Sequence, residues 1–334
     1  MLLGKTIAVV IPCYRVQEHI EAAVADLPAF VDAIVLVNDA CPHGSAEAIE
    51  KIDDERVEVL THAVNQGVGG AMITGYQYCK ERKFDIVVKF DGDGQMAGAD
   101  LQRLLEPLLL GRADYAKGNR WYRTAELQKM PAVRRLGNIG ISFLAKAASG
   151  YWNIFDVNNG YVAIEKTALD LIEFHRLNKR YFFENSMLIH LNIIRAVVVD
   201  VPLPSRYGAE VSSLSLSRTF FEFPMYLAQG LLRRVWWRYF VFDFSLFGIY
   251  LILGLFLLAF GVTFGTVAWW RSFQTGMPAT GGTVMLAALP VIISLQLLLQ
   301  MLMLDVVGVP TRPLVSHSLR ELERNAAVLE SSEV

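Results

Sequence analysis

Strands alternating with helices over roughly the first two hundred residues predict an α/β fold with a mainly parallel sheet covered on both faces. Two further observations refine that expectation. Every early strand is followed by polar or glycine-rich punctuation, so one crevice at the strands' carboxyl ends should collect these loops. Beyond about residue 220 the apolar residues gather into two long uncharged runs, which points to a membrane-directed C-terminal part.

The first strand is β-branched and apolar over 6–11, stops at Pro12-Cys13-Tyr14, and leads to a helix over 17–27. A second strand over 33–37 ends in Asn38-Asp39, and Ser45 is placed to cap a helix over 46–51. A third strand over 57–60 precedes the segment from His62 through Asn65 and Gly67 to Ala71, which opens a helix running to about Cys79. A dinucleotide fingerprint would need glycine at position 72, where Met72 stands, and no Walker A sequence occurs. What remains is a glycine-rich helix entry, around Gly69, that lets backbone come near a ligand and points amides at an anion.

The fourth strand, Ile86-Val87-Val88, delivers Lys89-Phe90-Asp91-Gly92-Asp93-Gly94-Gln95. In an extended segment Asp91, Asp93 and Gln95 leave the chain on one side, and the glycines add no bulk between them. Three oxygen-bearing groups at a strand end suit Mg²⁺ or Mn²⁺ with open positions for phosphate oxygens; the bland alternative is a polar turn. An EF-hand loop is excluded, because the twelfth positions counted from Asp91 and Asp93 are Gln102 and Leu104, neither able to supply the bidentate carboxylate.

After Asp100 a helix runs to about 110, and a strand over 115–117 ends in Gly118-Asn119-Arg120. Arg134-Arg135 open a helix to 149, and Asp156 to Tyr161 form a turn before a short strand over 162–164. Glu184 stands among aromatics ahead of Met187-Leu188-Ile189, a setting in which an acid requires a partner. A last strand over 196–201 is followed by Arg206 and the Ser212-Ser213 loop.

A net charge of −2 and a pI near 6.3 give no basis for binding nucleic acid. Cys13, Cys41 and Cys79 lie far apart and read as reduced cytoplasmic thiols, and the N-terminal apolar run is too short for a signal-peptide core. By contrast, the mean hydropathy of +0.35 is high for a soluble enzyme. Phe244 to Trp270 contains no charge, and at 1.5 Å per residue such a run exceeds the roughly 30 Å of a bilayer core. A second uncharged run spans 284–304. Trp236, Trp237, Tyr239, Trp269 and Trp270 suit an interfacial belt, and Phe220 to Leu227 read as a stretch lying in the interface. Arg233, Arg234 and Arg238 precede the hairpin and Arg312, Arg320 and Arg324 follow it, whereas the connection holds only Arg271, so both ends should face the cytoplasm.

Taken together, these residues resemble family 2 glycosyltransferases of the GT-A fold, and more narrowly the polyprenyl-phosphate glycosyltransferases, a group that includes dolichyl-phosphate mannose synthase and enzymes with a two-helix anchor. The matching segments are Ile11-Pro12-Cys13-Tyr14 for I-P-x-Y, Val37-Asn38-Asp39 for V-D-D, and His62 to Ala71 for H-x-x-N-x-G-x-G-x-A. Asp91 to Gln95 match D-x-D-x-Q, Gly118-Asn119-Arg120 match G-S-R, and Asp156 to Tyr161 match D-x-x-S-G-F. Arg15-Val16 depart from the usual Asn-Glu, Asn38 and Asn159 replace an Asp and a Ser, and Ser186 stands where an acid is common.

The resemblance implies a metal-dependent, inverting transfer of one sugar from a UDP- or GDP-sugar to a polyprenyl phosphate. Pro12, Tyr14, Asp39, Asn65, Gly69 and Asp91 would hold the donor, and Asp91, Asp93 and Gln95 the Mg²⁺ or Mn²⁺. Asp93, Arg120, Asp156 and Glu184 form the expected catalytic set, with Glu184 and Asp156 orienting more than deprotonating, because a lipid phosphate is already ionised. Arg120 is also a phosphate candidate, and Arg134, Arg135, Arg206 and Ser212 are assigned to the acceptor phosphate. The expected organisation is a catalytic domain over 1–215, interfacial helices over 216–238, a hairpin over 239–309 and a tail over 310–334, held in the cytoplasmic membrane; a homo-oligomer is compatible with it. Two alternatives are a processive polysaccharide synthase, whose Q-x-x-R-W element fails at Gln229 because Leu232 and Arg233 follow, and a silent nucleotide-binding scaffold, which would not need all of Asp91, Asp93 and Gln95.

Overall fold

The computed structural model describes residues 1–120, 132–204 and 216–314, without the side chains of 132–139, 141 and 216–221. It divides into two compact units, one of Met1–Leu232 with the segment from Pro310, the other Arg233–Val309.

The first unit is built on seven strands, β1 (Ile7–Cys13), β2 (Ala33–Asn38), β3 (Val57–Thr61), β4 (Ile86–Lys89), β5 (Tyr115–Asn119), β6 (Val162–Glu165) and β7 (Val198–Pro202), in the order β3-β2-β1-β4-β6-β5-β7. All neighbouring pairs are parallel except those of β6, which runs antiparallel to both β4 and β5. The central strands β1 and β2 are almost wholly apolar because both faces are covered; Ile7, Ala8, Val9, Val10 and Ile11 are all fully buried. One face packs on α1 (Ile20–Ala25) and α4 (Leu101–Leu109) through Ile20, Val24, Leu101, Leu104 and Leu105. The remaining helices of this unit are α2 (Ser45–Ile49), α3 (Val68–Glu81), α5 (Ala132–Ser149), α6 (Lys166–Leu171), α7 (Phe183–Ile193) and most of α8 (Leu216–Trp236).

Chain order reverses between β1 and β4, and their register pairs Val10 with Lys89. The segments that begin at Tyr14 and Phe90 therefore leave adjacent strands at the sheet's topological switch point, with Asp91 level with Pro12, where ligands of open α/β sheets bind.

Several local expectations shift. Helix α2 follows Gly44 directly, and the Ser45 hydroxyl donates to Cys41 Sγ (3.1 Å) instead of capping it. Strand β5 runs on through Gly118-Asn119 because its pairing with Val201 and Pro202 of β7 extends it. The aromatic stretch read as interfacial packs on its own domain: the Phe223 and Tyr226 rings both lie 5.4 Å from that of Phe182, and Leu227 is buried.

The second unit holds α9 (Leu246–Thr275) and α10 (Gly281–Val307), with mean hydropathies of 2.4 and 2.1, long and apolar enough to cross a membrane. Small residues let them approach: Ser294 Oγ donates to the Gly254 carbonyl (2.8 Å), and a Cβ at Gly261 would lie 2.7 Å from Val291 Cγ2. At the hairpin's base, Arg234 grips Asp305 through two hydrogen bonds (2.6 and 2.9 Å), the Tyr239 hydroxyl donates to Asp305 Oδ1 (2.6 Å), and Arg238 donates to the Gly308 carbonyl. Arg234 and Arg238, two of the positive charges that precede the hairpin, are both buried and engaged within the unit.

Candidate active site

The Asp91 segment is a turn, not an extension of β4, which ends at Lys89. Gly94 adopts φ +77°, a region most residues avoid, and the Gln95 amide donates to Asp93 Oδ1 (3.0 Å) while the Asp91 amide donates to Met96 Sδ (3.1 Å). The same-side argument from strand geometry thus fails; the turn's own hydrogen bonds, not a pleat, set Asp93 and Gln95.

Beneath the turn lies Lys89, which sequence reasoning passed over. Its side chain is 3% exposed, and Nζ stands 2.9 Å from Asp91 Oδ1 and 3.1 Å from Glu184 Oε1. Burial acts to lower the Lys89 pKa, but the two carboxylates outweigh it and hold the pKa above the ordinary lysine value. Glu184 sits in the first turn of α7, where a carboxylate also meets the favourable end of the helix dipole. Here is the partner that an acid among aromatics required.

The Asp156–Tyr161 loop closes the cluster. Asp156, 3% exposed, accepts from Arg120 Nε (2.8 Å), Arg120 Nη2 (3.2 Å) and the Arg120 amide (3.3 Å). Asn159 donates through Nδ2 to the Gly118 carbonyl (2.6 Å) while its Oδ1 accepts from the Tyr161 amide (3.0 Å), so separate atoms of one amide serve as donor and acceptor. Asn185 Nδ2 donates to Asn158 Oδ1 (3.0 Å), tying the loop to α7 beside Glu184. Gly160 presses against the ion pair: a Cβ there would lie 2.4 Å from Lys89 Nζ and 2.7 Å from Asp91 Oδ2.

Two further ionisable groups, one buried and one partly buried, lie under this loop, and neither belongs to a motif. Lys117 donates to the Asn159 carbonyl, and burial lowers its pKa to about 8 against the pull of Asp156 and Glu184. Asp200 accepts from the Phe155 amide (2.7 Å) and Asn119 Nδ2 (3.1 Å), and burial pushes its pKa up to about 6. A lysine inside an otherwise apolar strand, as at Lys89 and Lys117, was the available signal.

On the β1–β2 side, Pro12 lies one residue before the end of β1 and Tyr14, just beyond it, is 41% exposed. Arg15 takes a left-handed φ of +59°, a region that Asn tolerates better, and its guanidinium lies 5.5 Å from the centre of the Tyr14 ring. The Asp39 carboxylate, 2% exposed, accepts from His62 Nδ1 (2.7 Å) and the amides of Gln66 and Gly67 (both 2.8 Å), and Asn65 Nδ2 donates to the Asp39 carbonyl (3.1 Å). Asp39 thereby organises the whole 62–67 loop. The glycine-rich helix entry is approached by backbone as expected, but by the chain's own: a Cβ at Gly69 would lie 2.3 Å from the Asn178 carbonyl oxygen, and the Gly70 amide donates to the Lys179 carbonyl (2.9 Å). Gly69 is thus a packing glycine here.

The structure joins Asp91, Glu184, Asp156 and Arg120 into one cluster and gathers Asp39 and Asn65 into another, with Asp93 and Gln95 on the turn beside the first. Arg134 and Arg135 lie on α5, with their side chains outside the description, and Arg206 and Ser212 lie outside the described residues. Among the described residues no three His, Cys, Asp or Glu side chains converge as a closed metal site. Two carboxylates and an amide oxygen on an exposed turn nevertheless fit a hard divalent ion that draws its other ligands from phosphate and water.

By fold the protein is of the GT-A kind. Glucosyl-3-phosphoglycerate synthase from Mycobacterium tuberculosis, solved with Mn²⁺, UDP-glucose and phosphoglyceric acid, aligns with a TM-score of 0.51 at 18% identity over 69% of this chain and 80% of that one. Residues 8–173 match the glycosyl transferase family 2 profile, and the chain belongs to that family. Among its relatives, the UDP-N-acetylglucosamine–dolichyl-phosphate N-acetylglucosaminyltransferase of Methanococcus voltae is 29% identical over 221 residues, 62% of this chain and 88% of that enzyme. The undecaprenyl-phosphate mannosyltransferase of Micrococcus luteus is 28% identical over 199 residues, 58% of this chain and 81% of that enzyme.

Proposed function

We propose that this glycosyltransferase moves a single sugar from a nucleotide-sugar to a membrane polyprenyl phosphate, with inversion at the anomeric carbon. The observation that carries the reading is the linked cluster Asp91–Lys89–Glu184 and Arg120–Asp156 at the switch point, a site with both charges needed to hold a diphosphate leaving group and a phosphate acceptor. The relatives named for dolichyl and undecaprenyl phosphate support the acceptor, as do two helices apolar enough to reach lipid.

Asp91, Asp93 and Gln95 would hold Mg²⁺ or Mn²⁺, which when bound offsets the negative charge growing on the departing diphosphate. Pro12 and Tyr14, with the loop shaped by Asp39 and Asn65, bound the nucleoside side. An acceptor phosphate oxygen attacks the anomeric carbon from the face opposite the diphosphate; the new carbon–oxygen bond forms as the old one breaks and the nucleoside diphosphate leaves. The acceptor is already an anion, so no base need accept a proton, and Glu184 acts by orienting the Lys89 ammonium and not the acceptor itself. Asp156 fixes the Arg120 guanidinium toward phosphate, with Arg134, Arg135, Arg206 and Ser212 assigned to the acceptor. The hairpin spans the cytoplasmic membrane, with the sheet domain and both ends on the cytoplasmic side.

The test is transfer from labelled UDP-glucose, GDP-mannose or UDP-N-acetylglucosamine to a short polyprenyl phosphate by protein purified in detergent, with and without EDTA. A chloroform-extractable product that requires metal and is lost in Asp93→Ala is expected. Donor hydrolysis or polymer without lipid product would reject the acceptor.

A further inference from the structure

Lys89 is the charged group at the centre of this site that no motif explains. Its ammonium neutralises one oxygen of Asp91 from the protein side, 2.9 Å away, and is held there by Glu184 at 3.1 Å. It cannot swing aside, since its side chain is 3% exposed and the bare Cα of Gly160 closes over it, where a Cβ would come within 2.4 Å. A divalent ion approaching Asp91 and Asp93 therefore meets a fixed positive charge directly behind its first ligand. A nucleoside diphosphate brings enough negative charge to reverse that balance.

From this geometry, and resting on the assignment of Asp91 and Asp93 to the metal, we infer that Lys89 is a positioning residue that makes metal entry depend on the nucleotide. Lys89 offsets one of the three carboxylate charges of Asp91, Asp93 and Glu184 in the empty site, and Glu184 holds Lys89. The ion enters with the diphosphate, not before it, and Glu184 stays out of the metal's reach because its oxygen is engaged by the ammonium. Without Lys89, Asp91 and Glu184 face the crevice uncompensated, and the site fills with metal in the absence of donor. A lysine that served packing alone would have the opposite signature, since its loss would loosen the turn and weaken metal binding.

The experiment measures free Mn²⁺ by electron paramagnetic resonance during titration of the full chain in detergent, alone and with UDP or GDP, for wild type, Lys89→Met, Glu184→Gln and the double variant, with Asp93→Asn as the control for site identity. Wild type should take up Mn²⁺ weakly alone and stoichiometrically with nucleotide. Lys89→Met should bind Mn²⁺ without nucleotide about tenfold or more tighter, because one unit charge a few ångströms from the ion is removed. Glu184→Gln should bind more weakly than wild type, and the double variant, which restores the charge count, should return to within about threefold of it. Uptake by wild type with nucleotide, together with no tightening in folded Lys89→Met, would overturn the inference while leaving the metal site standing. If circular dichroism shows Lys89→Met unfolded, Glu184→Gln decides alone, and nucleotide-free binding equal to or tighter than wild type overturns it. No uptake by wild type with either nucleotide would instead reject the metal-dependent reading, and this inference with it.

Discussion

Asp93 lies on the exposed side of its turn and Asp91 on the side locked to Lys89, so the two carboxylates are not equivalent. Asp93→Ala should lower kcat/KM at least about a hundredfold with an unchanged circular dichroism spectrum, because it removes an interaction strengthened in the transition state and, in the fold, one hydrogen bond within the turn. Gly160→Ala should be harmful although it adds one methyl group: the new Cβ would fall on Lys89 Nζ and Asp91 Oδ2, and overpacking of that kind costs about 1–3 kcal/mol. Turnover is expected to fall about tenfold or more, alongside a lower unfolding temperature, since relief of the clash must displace the ion pair. Lys117 supplies a pH dependence. Its folded pKa of about 8 lies below the ordinary 10.5, so the unfolded chain holds more protons between these values and stability rises with pH across that window. The burial cost is fully present below about pH 8 and amounts to up to about 3 kcal/mol. Unfolding temperatures measured from pH 7.5 to 9.5 should rise for wild type relative to Lys117→Met. The acidic turn and Glu184 were legible in sequence because their residue types are costly in apolar company; Lys89 and Lys117 were not, because a strand lysine looks like the solvent face of an exposed strand.

At the scale of elements, the hairpin base holds an ion pair that no local pattern announces. Arg234 and Asp305 are 71 residues apart in the chain, and nothing local signals that they form a buried pair. Asp305→Asn would leave Arg234 buried with a weakened partner, at a cost of about 3–5 kcal/mol, and Arg234→Met in the same chain should recover most of it. Denaturant unfolding in detergent measures both. The helix-entry glycines teach a related lesson. Their spacing correctly marked a close backbone approach, but whether a ligand or the Asn178–Lys179 segment makes that approach depends on a chain stretch more than a hundred residues away. The Phe223 and Tyr226 rings behave likewise, their apolar character visible in sequence and their partner, Phe182, visible only once α8 is folded.

Over the whole molecule, a GT-A sheet domain and an apolar hairpin belong to one chain, which supports chemistry carried out against a bilayer. The protein should remain with membranes after an alkaline carbonate wash. Met277→Cys, in the connection between α9 and α10, should react in intact cells with a membrane-impermeant maleimide, whereas labelling only after the cells are broken would overturn the proposed orientation. The alternating strands and helices, the acidic turn after β4 and the two membrane-length runs were determined by the sequence alone, because each is set by the polarity of neighbouring residues. Tertiary structure alone decided the antiparallel insertion of β6 between β4 and β5, which brings the Asp156–Tyr161 loop over Asp91, and the burial of Lys89 between Asp91 and Glu184. Both depend on pairings between distant segments, whose free energy comes from burying strand faces and opposite charges together and leaves no mark in any local pattern.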